Sequence, residues 1–365
     1  MLERDAHFSL MKNYFPFLNG LRCFAVLWVM IHHILIFLIF TDRNEKLSLC
    51  KRFCFAGHWG VDLFFVISGF LITGLLLPKD KSNDLPKILR FYIRRFFKIV
   101  PSYYFLLISI LTLILIFFNQ AYSKPILENN FLLYFSFTDN LFHVHNLFLD
   151  HLWSIAVEEH FYIIYPMIIY FIGSLNGGKF SRKWLIIVLI CVLFVVNYLR
   201  YIFYNKMAEE LIQNTIFRVD GIAIGCLIKL LQEWIFGLPF KKVLSYVFLV
   251  LTLSLWGILI YYGQITTWYF PTLAVFASAS LIITCLMGNQ FLISILELNV
   301  FQFIGRISYN LYLWHYPMIF ISAYLFKQYS SLLIPGYVLL SFLMGWLMTN
   351  TLEMYFLRLR DKFFK

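Results

Sequence analysis

Charge is what this chain has least of. Asp, Glu, Lys and Arg together make up 13% of its 365 residues, about half the ~25% usual in soluble domains. A chain so short of charge cannot cover a water-facing surface. With 61% hydrophobic residues and a mean hydropathy of +0.77, it reads as a polytopic membrane protein. Several signature motifs are missing too. There is no Walker A loop, GxGxxG, HExxH or CxxC, so an ATPase, a nicotinamide-dependent enzyme and a zinc site lack support, and no metal is expected. The six cysteines lie mostly inside apolar runs and read as small hydrophobes. Cys50 and Cys54, in the loop CKRFC, are placed to pair only if that loop lies outside the cytoplasm. The first apolar run starts late, is too long for a signal peptide and lacks a small-residue cleavage site. No internal repeat, low-complexity tract or appended soluble domain is evident, so residues 1–365 read as one domain with a core of about 15–355.

What is present is aromatic and apolar. Phe (42) and Tyr (23) are used heavily, as suits lipid-facing helices and interfacial belts. Ten apolar runs, at about 21–40, 57–77, 99–118, 151–173, 184–203, 216–232, 243–262, 268–287, 306–326 and 331–352, each approach the ~20 residues that a bilayer core requires. The expected fold is therefore all-α, a bundle of about ten transmembrane helices, with the short piece 126–137 as a re-entrant or interfacial helix. The net charge of +11 is distributed between apolar runs rather than in a nucleic-acid-binding patch. Placing the N-terminus inside puts Lys79, Lys81, Lys87, Arg90, Arg94, Arg95 and Lys98, then Lys179, Arg182 and Lys183, Lys241 and Lys242, and Arg358 to Lys365 in the cytoplasm. That bias predicts a multi-pass protein with both termini cytoplasmic. The bilayer is its one certain partner, and no nucleic acid is expected.

Polar residues at membrane depth carry the functional argument, because an ionisable side chain in hydrocarbon costs several kcal/mol, ~2.5–3.5 on insertion scales. The first run, FLNGLRCFAVLWVMIHHILIFLIF, holds Arg22 and His33, eleven residues apart, or about 16 Å at ~1.5 Å per residue. The second holds Asp62 and Ser68; the fourth, Trp153, Ser154, Glu158, Glu159 and His160; the sixth, Arg218, Asp220 and Gly221; the ninth, Arg306, Ser308, Tyr309, Tyr312 and His315. Counting from the helix starts, Glu158 lies about 10 Å deep and His315 about 13 Å deep, and His33 reaches a similar level. Three titratable groups on three helices thus converge near the midplane. Each also has a plainer reading. A membrane histidine serves equally as a helix–helix hydrogen bond, Asp62 as a solvated residue where a helix begins, and Ser68-Gly69 as a packing contact. Arg94, Arg95 and Lys98 in FYIRRFFKIVP read either as an anchor on anionic headgroups or as a site for phosphates.

Assembled, these stretches resemble the acyltransferase-3 family of integral membrane O-acyltransferases, over about Phe15 to Tyr355. The family's opening motif, Arg or Lys, ten residues, then His, falls on Arg22 and His33. GVDLFFVISGFLI, the basic stretch before Pro101, LWSIAVEEHFY, the RxDG element at Arg218 to Gly221, and SYNLYLWH follow in the family's order. Two departures stand out. The second arginine of the RxxR pair is Lys98, which keeps charge but loses the bidentate fork, and the glutamine usual before FY is His160. The resemblance implies transfer of an acetyl group from cytoplasmic acetyl-coenzyme A to a hydroxyl of an envelope carbohydrate, such as lipopolysaccharide O-antigen or another exported glycan, at a bacterial cytoplasmic (inner) membrane. It implies catalytic roles for His33, Glu158 and His315, with Glu158 orienting His33 or assisting proton transfer and His315 or Tyr312 donating to the oxyanion. Arg22, Arg94, Arg95 and Lys98 would hold coenzyme A. Asp62, Ser68, Trp153, Arg218, Asp220, Ser308, Tyr309 and Tyr312 would bind substrate or support the site. A proton-coupled transporter of a carbohydrate or small polar solute uses similar intramembrane residues and is the alternative.

Overall fold

The computed structural model describes residues 15–41, 49–77, 85–117, 131–142, 144, 146, 148–175, 181–206, 210–262 and 267–364. Every regular element among them is helical, as hydrocarbon demands of backbone groups that have no water to pair with. Helix α1 runs Phe17–Thr41, α2 Gly60–Leu76, α3 Leu85–Phe117, α4 Trp153–Leu175 and α5 Arg182–Phe203. After these come α6 Val219–Leu230, α7 Lys241–Tyr262, α8 Phe270–Leu286, α9 Asn299–Leu325, α10 Leu333–Met348 and, after a π-helical turn at Thr349–Glu353, α11 Met354–Phe363.

Three expectations change. The basic stretch before residue 99 is not a loop: α3 begins at Leu85 and is 33 residues long. Ile88, Phe91 and Ile99 fall on one helical face and are buried, so the apolar stripe extends the helix through the cationic residues. The run 216–232 is not a span. It contains a 3₁₀ turn, Thr215–Phe217, and then α6, only 12 residues long and buried almost all round. At ~1.5 Å per residue that helix is too short for a ~30 Å core; hydropathy alone does not separate an internal helix from a crossing one. Among the described residues seven helices are long and apolar enough to span, or eight if α8 and the following Gln290–Leu296, bent by 102°, count as one. Helix α9 has the length, 27 residues, but its polar face lowers its hydropathy. Of the expected interfacial piece, residues 126–130 lie outside the described set, and the rest forms one turn, Leu132–Phe135. The side chain of Cys50, and with it the pairing alternative, also lies outside the described residues.

Two close helix contacts set the frame. Helix α6 lies against α2 so tightly that a Cβ on Gly69 would stand 1.9 Å from the Ile222 carbonyl oxygen, and one on Gly225 would stand 2.0 Å from that of Val66. Helix α9 packs between α1 and α10. Gly305 lets it touch the α1 backbone at Asn19, and Asn19 Nδ2 donates to Gln302 Oε1 at 3.1 Å. The first of these contacts fixes Asp62 and Ser68 relative to Arg218; the second fixes Arg22 and His33 relative to Arg306 and His315.

Candidate active site

Helices α1 and α9 bring two of the expected histidines together. His33 Nδ1 lies 3.0 Å from His315 Nε2, and His315 Nδ1 lies 2.6 Å from the Tyr312 carbonyl oxygen. His315 is fully buried. His33 is half-buried and lines a cavity of ≈ 660 Å³ together with His32, His58, His151, Trp59, Trp153, Trp268 and Arg218. The Tyr316 ring stands edge-on to His33 at 4.9 Å between centroids. His151 donates from Nε2 to the Leu313 carbonyl at 3.0 Å. Among the described residues no group of three or more His, Cys, Asp or Glu has an arrangement that would hold a metal ion.

A second cavity of ≈ 110 Å³ is lined by four cations, Arg22, Arg95, Lys98 and Arg306, and by Ser68, Glu158, Ser308 and Tyr309. Glu158 accepts from the Ser68 hydroxyl at 2.7 Å and from Tyr162 at 2.6 Å. Arg95 lies over the Tyr162 ring, 4.7 Å from its centroid, a cation–π contact in partly desolvated surroundings. Lys98 pairs with Glu353, whose other oxygen accepts from Asn310 Nδ2 at 2.7 Å. Tyr309 donates to the Ile99 carbonyl at 2.9 Å. Val61 and Tyr312 line both cavities. The Tyr312 hydroxyl is held in that shared wall by Ser154 Oγ at 2.7 Å and the His151 carbonyl at 2.9 Å. Arg94 is exposed and does not line the cationic cavity.

Behind the large cavity two ion pairs are almost fully enclosed. Arg218 Nη2 donates to Asp62 at 2.8 Å, and Arg200 Nη2 to Asp220 at 2.6 Å. Arg200 also donates to the Phe217 carbonyl at 2.7 Å and to Thr272 Oγ1 at 2.8 Å. Arg218 stands 5.4 Å from the centre of the Trp153 ring. Asp62 is therefore not a solvated residue at a helix start; it is 1% exposed and paired.

Two of the expected arrangements are replaced. Glu158 does not reach His33: its carboxylate belongs to the cationic cavity, across the wall formed by Val61 and Tyr312. His315 does not face a substrate, because both its ring nitrogens are engaged and it lines neither cavity. His160, where a glutamine is usual, ties down the segment before α4. Its Nδ1 meets Thr215 Oγ1 at 2.7 Å, and the same hydroxyl accepts from Asn140 Nδ2 at 2.7 Å. Residues that sequence reasoning passed over are His58, His151, Tyr162, Arg200 and Glu353, while Arg306 was singled out at membrane depth but given no role. Only Arg200 carried a usable signal, as a lone arginine in the apolar run VVNYLRYIF.

The sequence profile of the acyltransferase-3 family, described as an acyltransferase domain, matches residues 15–350. The chain is similar to the O-acetyltransferase OatA of Staphylococcus aureus strain NCTC 8325 / PS 47, 28% identical over 351 residues that cover 89% of this chain and 53% of OatA. It is likewise similar to a second protein of S. aureus strain COL, SACOL0978, provisionally named an O-acetyltransferase, at 29% identity over 367 residues, 89% of this chain and 54% of that protein. The chain spans about half the length of the curated relatives it matches. No solved structure matches it.

Proposed function

The chain belongs to the acyltransferase-3 family, and on that premise we propose that it is a membrane O-acetyltransferase moving an acetyl group from acetyl-coenzyme A to a hydroxyl of an envelope carbohydrate. The observation that carries this reading is the pair of cavities sharing the wall at Val61 and Tyr312, one ringed by cations and one bearing His33. Arg22, Arg95, Lys98 and Arg306 suit a donor with several phosphates, since guanidinium and ammonium groups bind phosphate through charge-assisted hydrogen bonds. The cavity they ring, at ≈ 110 Å³, admits a narrow chain rather than a nucleotide, so these side chains would grip the phosphates at its rim. Lys98 shares its charge with Glu353, and its ammonium lacks the planar fork with which a guanidinium matches phosphate.

The large cavity offers what a carbohydrate acceptor needs: the flat rings of Trp59, Trp153 and Trp268 and the donors of Arg218. A neutral imidazole is a competent base near neutral pH. In direct transfer His33 takes the acceptor's hydroxyl proton while the new C–O bond forms and the thioester C–S bond breaks. The same proton then passes to the departing thiolate. An acyl-histidine relay would use the same imidazole as nucleophile. The Tyr312 hydroxyl commits its one proton to the His151 carbonyl at 2.9 Å, so it shapes the wall between the cavities rather than donating to the thioester oxygen. With both termini cytoplasmic, the cationic cavity faces the cytoplasm and the larger one the opposite side, where a lipopolysaccharide O-antigen or another exported glycan would be acetylated.

The test is to incubate membranes containing the protein with labelled acetyl-coenzyme A, beside the His33→Ala variant, and follow label into glycan. Incorporation that depends on His33, falling at least ~100-fold in the variant, is the expected result. Equal incorporation by both membranes would refute the role of His33, and label in neither would turn the reading toward transport.

A further inference from the structure

We infer that His315 is a positioning residue that decides which ring nitrogen of His33 carries out the chemistry; the inference rests on His33 being the reactive imidazole. The Tyr312 carbonyl, 2.6 Å from His315 Nδ1, can only accept. His315 therefore carries its proton on Nδ1. A neutral imidazole has one N–H, so His315 Nε2 presents a lone pair. That lone pair faces His33 Nδ1 at 3.0 Å, and two lone pairs do not make a hydrogen bond. His33 must supply the proton from Nδ1, which leaves the lone pair on His33 Nε2.

The fixed end of this chain is backbone. Tyr312 and His315 lie one turn apart in α9, so the carbonyl that sets the first tautomer moves only if the helix does. The rings are wedged as well: His33 stands 4.9 Å from Tyr316 and 5.2 Å from His32 between centroids. His315 then does for His33 what the buried carboxylate does in a Ser-His-Asp triad: it orients the ring, holds the tautomer and accepts from the imidazolium formed when Nε2 gains a proton. Here the partner is neutral, so the pair adds no buried charge in the resting state. The same lone pair on Nε2 serves direct deprotonation and nucleophilic attack alike.

The experiment is nitrogen NMR on protein carrying ¹⁵N-labelled histidine in lipid nanodiscs, with His33 assigned by its loss in His33→Ala. In the wild type His33 should show a protonated Nδ1 and a bare Nε2. In His315→Leu the Nδ1 proton should be lost to Nε2, and the turnover rate should fall on the order of 10²–10⁴-fold while the KM for acetyl-coenzyme A changes less than about twofold, since His315 lines neither cavity. In His315→Gln, whose amide oxygen can accept from Nδ1, the native tautomer should persist and turnover should stay within about tenfold of wild type. A wild-type His33 protonated on Nε2 would overturn the inference, and this reading does not depend on the His315 variants folding. So would an unchanged His33 tautomer in His315→Leu. Absence of acetyl transfer by the wild type would refute the proposed function instead, and the nitrogen spectrum would still decide the tautomer.

Discussion

Asp62, Arg200, Arg218 and Asp220 form a costly cluster, with side chains no more than 2% exposed. Burying these charges is tolerable only because each finds its counter-ion. Removing one partner leaves the other stranded, so Asp62→Ala should cost on the order of 3–5 kcal/mol of stability. Replacing both, in Asp62→Leu/Arg218→Met, should recover most of that loss. Thermal unfolding in detergent measures both. The Arg182–Glu233 pair is a useful contrast: at 47% and 81% side-chain exposure, its loss should be nearly silent. Outside the spanning helices, Asp139 is 2% exposed, and burial, reinforced by Asp150, pushes its carboxyl from the ordinary 3.8 up to about 7. The folded protein thus binds this proton more tightly than the unfolded chain. Stability from this group is complete below about pH 4 and is lost as pH rises toward 7, at up to ~1.4 kcal/mol per pH unit. Unfolding curves at pH 5 and pH 8 should differ accordingly for the wild type and lose that component in Asp139→Asn.

At the scale of elements, the closest contact is between α2 and α6. Small residues at this contact let backbones touch where lipid gives helices no hydrophobic reason to associate. Gly225→Val would drive a side chain into the Val66 carbonyl, whose oxygen already lies 2.0 Å from the position of a Cβ. The two helices would have to separate, displacing Arg218 from Asp62. The expected result is overpacking of ~1–3 kcal/mol or more, with loss of monodisperse protein on size-exclusion chromatography; Gly257, which has open space around its Cβ position, should accept the same change. The π turn at Thr349–Glu353 is a second device of this kind. It carries Glu353, 4% exposed, to meet Lys98 and Asn310, joining the last helices to α3 beside the cationic cavity.

For the whole molecule, the proposed topology and the pair of cavities predict that transfer is directional. In sealed vesicles of uniform orientation, acetyl-coenzyme A supplied on the side of the N- and C-termini should support acetylation, and donor supplied on the opposite side should give at least ~100-fold less. Equal use of both sides would contradict the topology proposed from the basic loops. The two cavities share Val61 and Tyr312 in their lining, and Tyr312 is pinned by Ser154 and His151. Loosening that latch by Ser154→Ala removes one of its two hydrogen bonds and should slow transfer several-fold, a change of ~1 kcal/mol, read in the same vesicle assay.

The scarcity of charge, the lengths of the apolar runs and the basic loops were enough to establish a helical membrane protein. The polar residues at membrane depth were enough to single out nearly all of those that line the cationic cavity, but few of those beside His33 in the large one. These properties are local: they depend on what each stretch must do with its own backbone and side chains in hydrocarbon. Partner choice is not local. That His33 meets His315, that Glu158 lies with the cations on the far side of a wall, and that Asp62 pairs with Arg218 depend on helix rotation and offset, set by contacts such as Gly69 on Ile222 and Gly305 on Asn19. Depth along a helix can be counted from a sequence. The direction a side chain faces across the bundle, and hence its role, is decided only when the helices pack.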